Sequence, residues 1–221
     1  MVAAESIATL MPMSFSARRG AETLRHRRPV QPLLFPSTEP ENERVPESKR
    51  HLVLRTALYQ VLSLELRGVH SVGSEQFIYW NARDPRRCCS PDAFVKLGVR
   101  DEMFETWRTW ERGVPELVVE ILSSSDRERL TWQEKLERFH ELGVREVVRF
   151  DPDAPCGERL RVWDRIEDDL VERVVEGDAT PCVTLGLFCV VGPVDGVDVG
   201  LRLARDARGE DVLASALERI A

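Results

Sequence analysis

A nearly continuous apolar run at residues 117–122 limits how this chain can fold more than any other feature. The run reads Leu-Val-Val-Glu-Ile-Leu, so an extended segment there is apolar on both faces apart from Glu120. Strands of this kind lie inside a sheet, where other elements cover both faces. The run therefore predicts a central strand that is buried on both sides.

The segments around this run predict a mixed α/β sheet with helices packed against it. Apolar residues at helical spacing predict one helix over 51–66, with Ser48 as its N-cap, and another over 131–142. Because the second helix links the strand at 117–122 to a strand at 145–150, those two strands are predicted to be parallel neighbours. Further strands are predicted over 76–80, 92–97, 159–166 and 170–175, the last two as a hairpin.

Composition predicts three parts in the chain of 221 residues. Residues 1–47 join a basic stretch to a proline- and acid-rich stretch, with no sustained helical or strand period. We expect them to form a partly disordered extension. A compact domain is predicted over 48–196. A tail over 197–221 is predicted to hold a short strand and a terminal helix packed on that domain.

Charge and hydropathy exclude several classes of protein. The net charge of −7 argues against a protein that coats nucleic acid, but it leaves room for an enzyme that touches nucleic acid with one local face. A membrane span is not expected, because no run of about 18 apolar residues occurs. The first residues also lack a basic segment followed by an apolar one, so a cytoplasmic protein is predicted.

Two carboxylates fall on strands that are predicted to be neighbours. Glu120 lies among bulky apolar residues, where a carboxylate is costly unless it is paired, hydrogen-bonded or bound to a metal. It could instead lie at a strand end and reach solvent or an arginine. Asp92 follows Pro91 and could simply mark a strand start. Together the two side chains could hold one Mg²⁺, which prefers oxygen ligands.

Lys135 is the third candidate site residue. It borders the predicted buried stripe of its helix, beside Trp132 and Phe139. Its side chain could run along the helix to the surface, or it could direct a cation at the sheet edge. A cation beside paired carboxylates could position an attacking water or stabilise charge on a phosphoryl oxygen. The chain has only three lysines, which makes this placement more noticeable.

Other polar and aromatic residues favour structural roles. The segment Ser123–Asp126 is expected to form a loop or a helix cap, because it lacks the sequence context of a serine nucleophile. Trp107 and Trp110 are expected to pack a connection onto the core. His51 is expected at the surface or in a cap, and Glu47 is expected to complement the helix dipole.

A series of short motifs follows one another along about residues 50–153. They are Ser90-Pro91-Asp92-Ala93-Phe94-Val95, Trp107-x-x-Trp110-Glu111-x-Gly113, Pro115-x-x-Val118-Val119-Glu120-Ile121-x-Ser123, Glu134-Lys135, Leu142-Gly143-Val144-Arg145-Glu146 and Asp151-Pro152. In order and number this series resembles the Uma-two family of restriction-endonuclease-like proteins, which belongs to the PD-(D/E)xK nuclease superfamily.

The resemblance implies a restriction-endonuclease-like α/β core with a mixed central sheet flanked by helices. It also implies phosphodiester hydrolysis that depends on Mg²⁺ or Mn²⁺. Asp92 and Glu120 match the two metal-binding acidic positions, and both are implied to be catalytic together with Lys135. Leu122 occupies the position of the usual superfamily lysine, and in this family the lysine comes from the following helix. Residues 32–43 do not reproduce an acidic segment that many members carry.

Two functions therefore stay open at this point. The first is a metal-dependent endonuclease that cuts DNA, for which a homodimer would offer one site to each strand of a duplex. The second is a nuclease fold that has lost catalysis and serves as a binding or regulatory module. The acidic net charge and the missing upstream acidic segment favour the second reading somewhat.

Overall fold

The structure is a computed structural model, and it describes residues 33, 35, 47–123 and 131–220. Contacts divide the chain into Met1–Pro32 and Leu33–Ala221, and every described residue lies in the second unit. The predicted extension over 1–47 falls outside the described residues except at residues 33, 35 and 47. Within the described ranges, no helix is both long enough and apolar enough to cross a membrane.

The described residues form three helices and twelve strands. The helices are α1 (Lys49–Glu65), α2 (Thr109–Arg112) and α3 (Trp132–Leu142). The strands are β1 (Ser71–Gly73), β2 (Ile78–Tyr79), β3 (Cys88–Cys89), β4 (Ala93–Lys96), β5 (Trp107–Arg108), β6 (Leu117–Ile121), β7 (Glu146–Phe150), β8 (Leu160–Ile166), β9 (Asp169–Arg173), β10 (Ala179–Cys182), β11 (Leu187–Val194) and β12 (Val197–Ala204).

The central sheet has the strand order β1-β4-β6-β7-β8-β9. Strand β6 is buried along its whole length and lies between β4 and β7, which confirms the predicted central strand. It runs antiparallel to β4 and parallel to β7, with α3 in the connection to β7. The predicted parallel crossover and the predicted β8–β9 hairpin are thus both confirmed.

Two long helices cover opposite faces of this sheet. Helix α1 begins after Ser48, whose side chain accepts a hydrogen bond from the His51 backbone N–H, as expected for an N-cap. Helix α3 begins with a capping box between Thr131 and Glu134 and ends at Gly143, which adopts φ 88°. Both helices therefore confirm the boundaries predicted from capping residues to within a few residues.

Alternating side chains of the central strands pack into two separate hydrophobic cores, one on each face of the sheet. On β4, Ala93 and Val95 join the core beneath α1, whereas Phe94 joins the core beneath α3. On β6, Val119 and Val118 divide in the same way. The result is a helix–sheet–helix sandwich, the α/β class with a mixed sheet that the sequence predicts.

Two small sheets extend this sandwich, with orders β3-β2-β5 and β10-β11-β12. The predicted division at residue 196 falls at the turn between β11 and β12, and the domain boundaries stay a prediction. The predicted terminal helix is wrong, because residues 216–220 form only turns. There the Glu218 N–H donates to Oγ of Ser215 and the Arg219 N–H donates to the Ser215 carbonyl, so the segment closes a single turn.

Candidate active site

Asp92 and Glu120 lie side by side at one end of the central sheet. The β4–β6 ladder pairs Ala93 with Val119, so the next residue pair along it is Asp92 and Glu120. Glu120 contacts Lys135 of α3, whereas the Asp92 carboxylate contacts the Ile121 N–H and His51 of α1. Asp92 is 7% exposed and Glu120 is 4% exposed. The structure therefore brings together the two carboxylates that the sequence singles out.

Lys135 completes this group from the first half of α3. Its Nζ lies 2.7 Å from Oε2 of Glu120, and the side chains are 18% and 5% exposed. The lysine therefore does not run along the helix to the solvent, and Glu120 is buried and paired with Lys135 rather than exposed. Since the pair is shielded from water, each charge compensates the burial of the other.

His51 holds the Asp92 carboxylate from the opposite side of the sheet. Its Nε2 lies 2.8 Å from the Ile121 carbonyl oxygen and 3.2 Å from Oδ1 of Asp92, and its Nδ1 lies 2.9 Å from Oε1 of Glu47. Both ring nitrogens thus face acceptors. A neutral imidazole has only one N–H, so this geometry requires the charged imidazolium.

The charge state of His51 follows from the same contacts. Burial alone would lower the pKa of the ring, but the Asp92 carboxylate, and after it Glu47 and the Ile121 carbonyl, raise the pKa to about 9. His51 was expected at the surface or in a cap, and that expectation is wrong: the residue is 9% exposed and forms part of the site. Its backbone N–H alone serves the helix cap.

The second oxygen of Asp92 is held by the backbone of β6. Oδ2 accepts a hydrogen bond of 2.6 Å from the Ile121 N–H. The Asp92 carbonyl accepts a further bond of 2.7 Å from Oγ of Ser74. The carboxylate therefore bridges the end of its own strand to the neighbouring strand, which fixes its position before any ligand binds.

A second layer of charge surrounds His51. Arg55 makes two bonds of 3.0 and 3.1 Å to Glu47, and its Nε lies 3.3 Å from Oε1 of Glu75. Burial opposes the ionised form of Glu47, but hydrogen bonds from Arg55 and His51 lower its pKa. Burial raises the pKa of Glu75, and Glu47 and Asp92 contribute to that rise. Glu47 thus does more than complement the helix dipole.

The sequence holds a signal for this second layer. Glu47, His51 and Arg55 recur at intervals of four residues, so at helical spacing they lie along one side of α1. The spacing does not reveal which residue these three side chains contact on the sheet. Only the packing of α1 against the ends of β4 and β6 brings His51 to Asp92.

The remaining candidate residues take structural positions or fall outside the description. Trp107 is fully buried and its Nε1 donates to the Gly113 carbonyl, which confirms a packing role, whereas Trp110 is 42% exposed. Ser123 is buried directly after β6. Residues 124–126, expected in a loop or cap, lie outside the described residues.

Comparison with known proteins places this arrangement in a family. The family model described as "Putative restriction endonuclease", named Uma2, matches residues 41–187, more than half of the chain. The chain belongs to the Uma2 family. This match confirms the resemblance carried by the sequence motifs. Asp92, Glu120, Lys135 and His51 all lie inside the matched segment.

A solved structure gives a more distant likeness to the Uma2 chain. It is described as a "putative nuclease belonging to DUF820" from Anabaena variabilis, with 13% identity and a TM-score of 0.43. The match covers 64% of this chain and 75% of that one. No curated protein matches the chain. The assignment to a restriction-endonuclease-like family thus rests on the family model.

Proposed function

We propose that this chain is a metal-dependent nuclease that hydrolyses phosphodiester bonds in DNA. The observation that carries the proposal is the placement of Asp92, Glu120 and Lys135 at one sheet edge, within the segment that matches a restriction-endonuclease family. Two carboxylates and an ammonium group are the residue types that metal-assisted phosphoryl chemistry requires. Asp92 and Glu120 would hold the ion, and Lys135 would serve the reacting phosphate.

The donor set fits Mg²⁺ or Mn²⁺. Both side chains offer carboxylate oxygens, and each such oxygen can accept more than one interaction. Within the described residues, no group of three or more His, Cys, Asp and Glu is arranged around one point. The ion would therefore keep several waters, as Mg²⁺ commonly does. When bound, it would polarise a phosphoryl oxygen and make a bound water more acidic.

The residues of the chain have separate tasks in this proposal. His51 and the Ile121 N–H fix the Asp92 carboxylate in one orientation. Lys135 pairs with the buried Glu120 carboxylate, and its ammonium group can stabilise negative charge that develops on a phosphoryl oxygen. Because these groups are preorganised, little reorientation is needed when the substrate arrives.

Cleavage of duplex DNA tests the proposal directly. The full chain should cut DNA with Mg²⁺ or Mn²⁺ and stop when EDTA is added. Asp92→Asn and Glu120→Gln should each reduce the rate by about 100-fold or more. Glu116→Gln is a matched control, since Glu116 is also paired with a lysine, Lys96. This pair is separate from Asp92 and Glu120, which together we call the acidic pair. Metal-dependent cutting that survives in both site variants would contradict the proposal.

One observation favours the alternative of a binding module without catalysis. The carboxylates of Asp92 and Glu120 are already held by protein donors, namely His51, the Ile121 N–H and Lys135. A site balanced in this way could be purely structural. Titration calorimetry with Mg²⁺ separates the two candidates, because only the nuclease should release heat on binding that disappears in Glu120→Gln.

Two wider expectations belong to the same proposal. A homodimer would present one acidic pair to each strand of a duplex, and sedimentation velocity measures that state. A cytoplasmic location stays a prediction, and fractionation of cells that produce the chain would test it.

A further inference from the structure

The acidic pair continues across the sheet as a row of charged side chains. Glu120 is paired in register with Arg149 on β7, and Arg149 is paired with Arg161 on β8. With Asp92 added, four adjacent strands carry two acidic residues followed by two basic ones. On β6, β7 and β8 the residues before and after each row member join the core beneath α1. Glu120, Arg149 and Arg161 therefore lie on the face of the sheet that α3 covers, whereas the Asp92 carboxylate contacts His51 of α1.

Each guanidinium group of the row rests on an indole ring. The guanidinium carbon of Arg149 lies 5.4 Å from the ring centre of Trp132, and that of Arg161 lies 5.0 Å from the ring centre of Trp163. The two rings pack together with centres 5.0 Å apart. Stacking of this kind orients a guanidinium plane and reduces the entropy that it loses on binding an anion.

The opposite side of the acidic pair has no excess of basic side chains. There Glu47 and Glu75 flank Arg55, close to Asp92 and His51. With His51 charged, His51 and Arg55 balance Glu47 and Glu75, so this cluster offers a phosphate backbone no net positive charge. The nucleic-acid strand is therefore expected to run from the acidic pair across β7 and β8.

We propose that Arg149 and Arg161 bind the phosphate backbone of the nucleic acid next to the cleaved bond. The inference rests on the proposed nuclease function and adds the direction in which the strand leaves the acidic pair. Arg149 is 17% exposed, lies next to Glu120 and is 3.3 Å from Oδ2 of Asp151, so it is placed for the phosphate nearest the cut once that contact is exchanged. Arg161 is 43% exposed and is placed for a phosphate further along.

Glu172 masks Arg161 in the structure without nucleic acid. It accepts two bonds of 2.6 and 2.7 Å from Arg161 and is itself 42% exposed. Exposed pairs of this kind contribute little to stability, so a phosphate can replace the carboxylate. Removal of the Glu172 charge should therefore strengthen binding of nucleic acid.

Binding of a labelled DNA duplex to the full chain, with Ca²⁺ in place of Mg²⁺, tests the inference. Arg161→Gln should weaken binding about fivefold at low salt and reduce the slope of log affinity against log salt by about 1. Glu172→Gln should tighten binding about threefold and steepen that slope. A gain of affinity cannot come from misfolding, so this variant remains informative if Arg149→Gln proves unstable.

The pair Arg219 and Glu65 provides matched controls. Arg219 is 41% exposed and lies 2.6 Å from Glu65. Glu65 is the last residue of α1, and α1 packs on the face of the sheet opposite to α3. Arg219→Gln and Glu65→Gln should leave affinity and salt slope unchanged. Equal effects of Arg161→Gln and Arg219→Gln would overturn the inference.

Cleavage measured in parallel separates this inference from the proposed function. If the wild-type chain cuts DNA but Arg161 and Glu172 variants bind like the controls, the direction of the strand is wrong and the nuclease assignment stands. If no chain cuts DNA but Arg161→Gln alone loses affinity, the binding surface stands and the nuclease assignment is wrong. Absence of any DNA binding by the wild-type chain overturns the inference as well.

Discussion

Nζ of Lys135 lies 2.7 Å from Oε2 of Glu120, and the two side chains are 18% and 5% exposed. Helix α3 thereby supplies the cation for a carboxylate on the strand that it follows in the chain. Loss of this cation removes the Lys135 partner of the buried Glu120 carboxylate, and removal of one partner of a buried ion pair commonly costs several kcal/mol.

Lys135→Met should therefore lower the free energy of unfolding by about 3 kcal/mol in EDTA, as measured by urea denaturation. Millimolar Mg²⁺ should restore part of that loss, because an ion at the acidic pair binds the folded state only. Lys96→Met removes a similar pair with Glu116, and Mg²⁺ should not restore it. Failure of Mg²⁺ to stabilise either the wild type or Lys135→Met would count against a metal site.

The stability of the metal-free chain should fall between about pH 6.5 and pH 9 because of His51. Its pKa is raised to about 9 in the folded state, so its contribution is complete below the unfolded value and is lost as the pH rises through 9. The loss should be at most about 3 kcal/mol in the wild type and absent in His51→Gln. His140→Gln, at an exposed histidine, should keep the wild-type profile. Parallel wild-type and His51→Gln profiles would show that the imidazolium is not formed.

Glu146 ties the central sheet to the loop after β10. It is 1% exposed, lies 3.0 Å from Arg173, and accepts bonds of 3.0 and 2.7 Å from the Val183 and Thr184 N–H groups. Glu146→Ala should cost about 3 kcal/mol in unfolding free energy, since it leaves these donors without an acceptor. Glu158→Ala, at an exposed carboxylate, should cost less than about 0.5 kcal/mol.

Two glycines that face each other in the β11–β12 hairpin should respond differently to the same substitution. A Cβ on Gly200 would lie 2.3 Å from Cγ1 of Val194 and 2.9 Å from Cδ2 of Leu54. A Cβ on Gly192 would meet nothing closer than 3.9 Å. Gly200→Ala should thus lower unfolding free energy by about 2 kcal/mol, whereas Gly192→Ala should be neutral or slightly stabilising. Thermal denaturation of both variants measures the contrast.

Long periodic segments made most of the fold predictable. The apolar run at β6 and the capping residues of α1 and α3 led to the correct sheet and crossover, because burial and capping leave local signatures. Strands β2, β3 and β5 have only two residues each, too short for alternation to show, and two of them were not predicted. Short strands of this kind form through their neighbours rather than through local preference.

The acidic pair and Lys135 were predictable because carboxylates in an apolar strand and a lysine beside a buried stripe are unusual in themselves. His51 and the row from Glu120 to Arg161 were not. Each member is an ordinary polar residue in its own segment, and its meaning depends on strand register and on the packing of α1. Register is a property of the assembled sheet, and a shift of one residue would reverse which side chains share a face.

The register that links Asp92, Glu120, Arg149 and Arg161 also has a consequence for the order of folding. These residues come from four strands joined by loops and a crossover helix, so the row forms only when segments spread over residues 92–161 come together. Contacts between distant segments are slow to form because the intervening chain must be closed first. The row should therefore be among the last features to assemble during refolding, and recovery of ligand binding should lag behind recovery of helical signal.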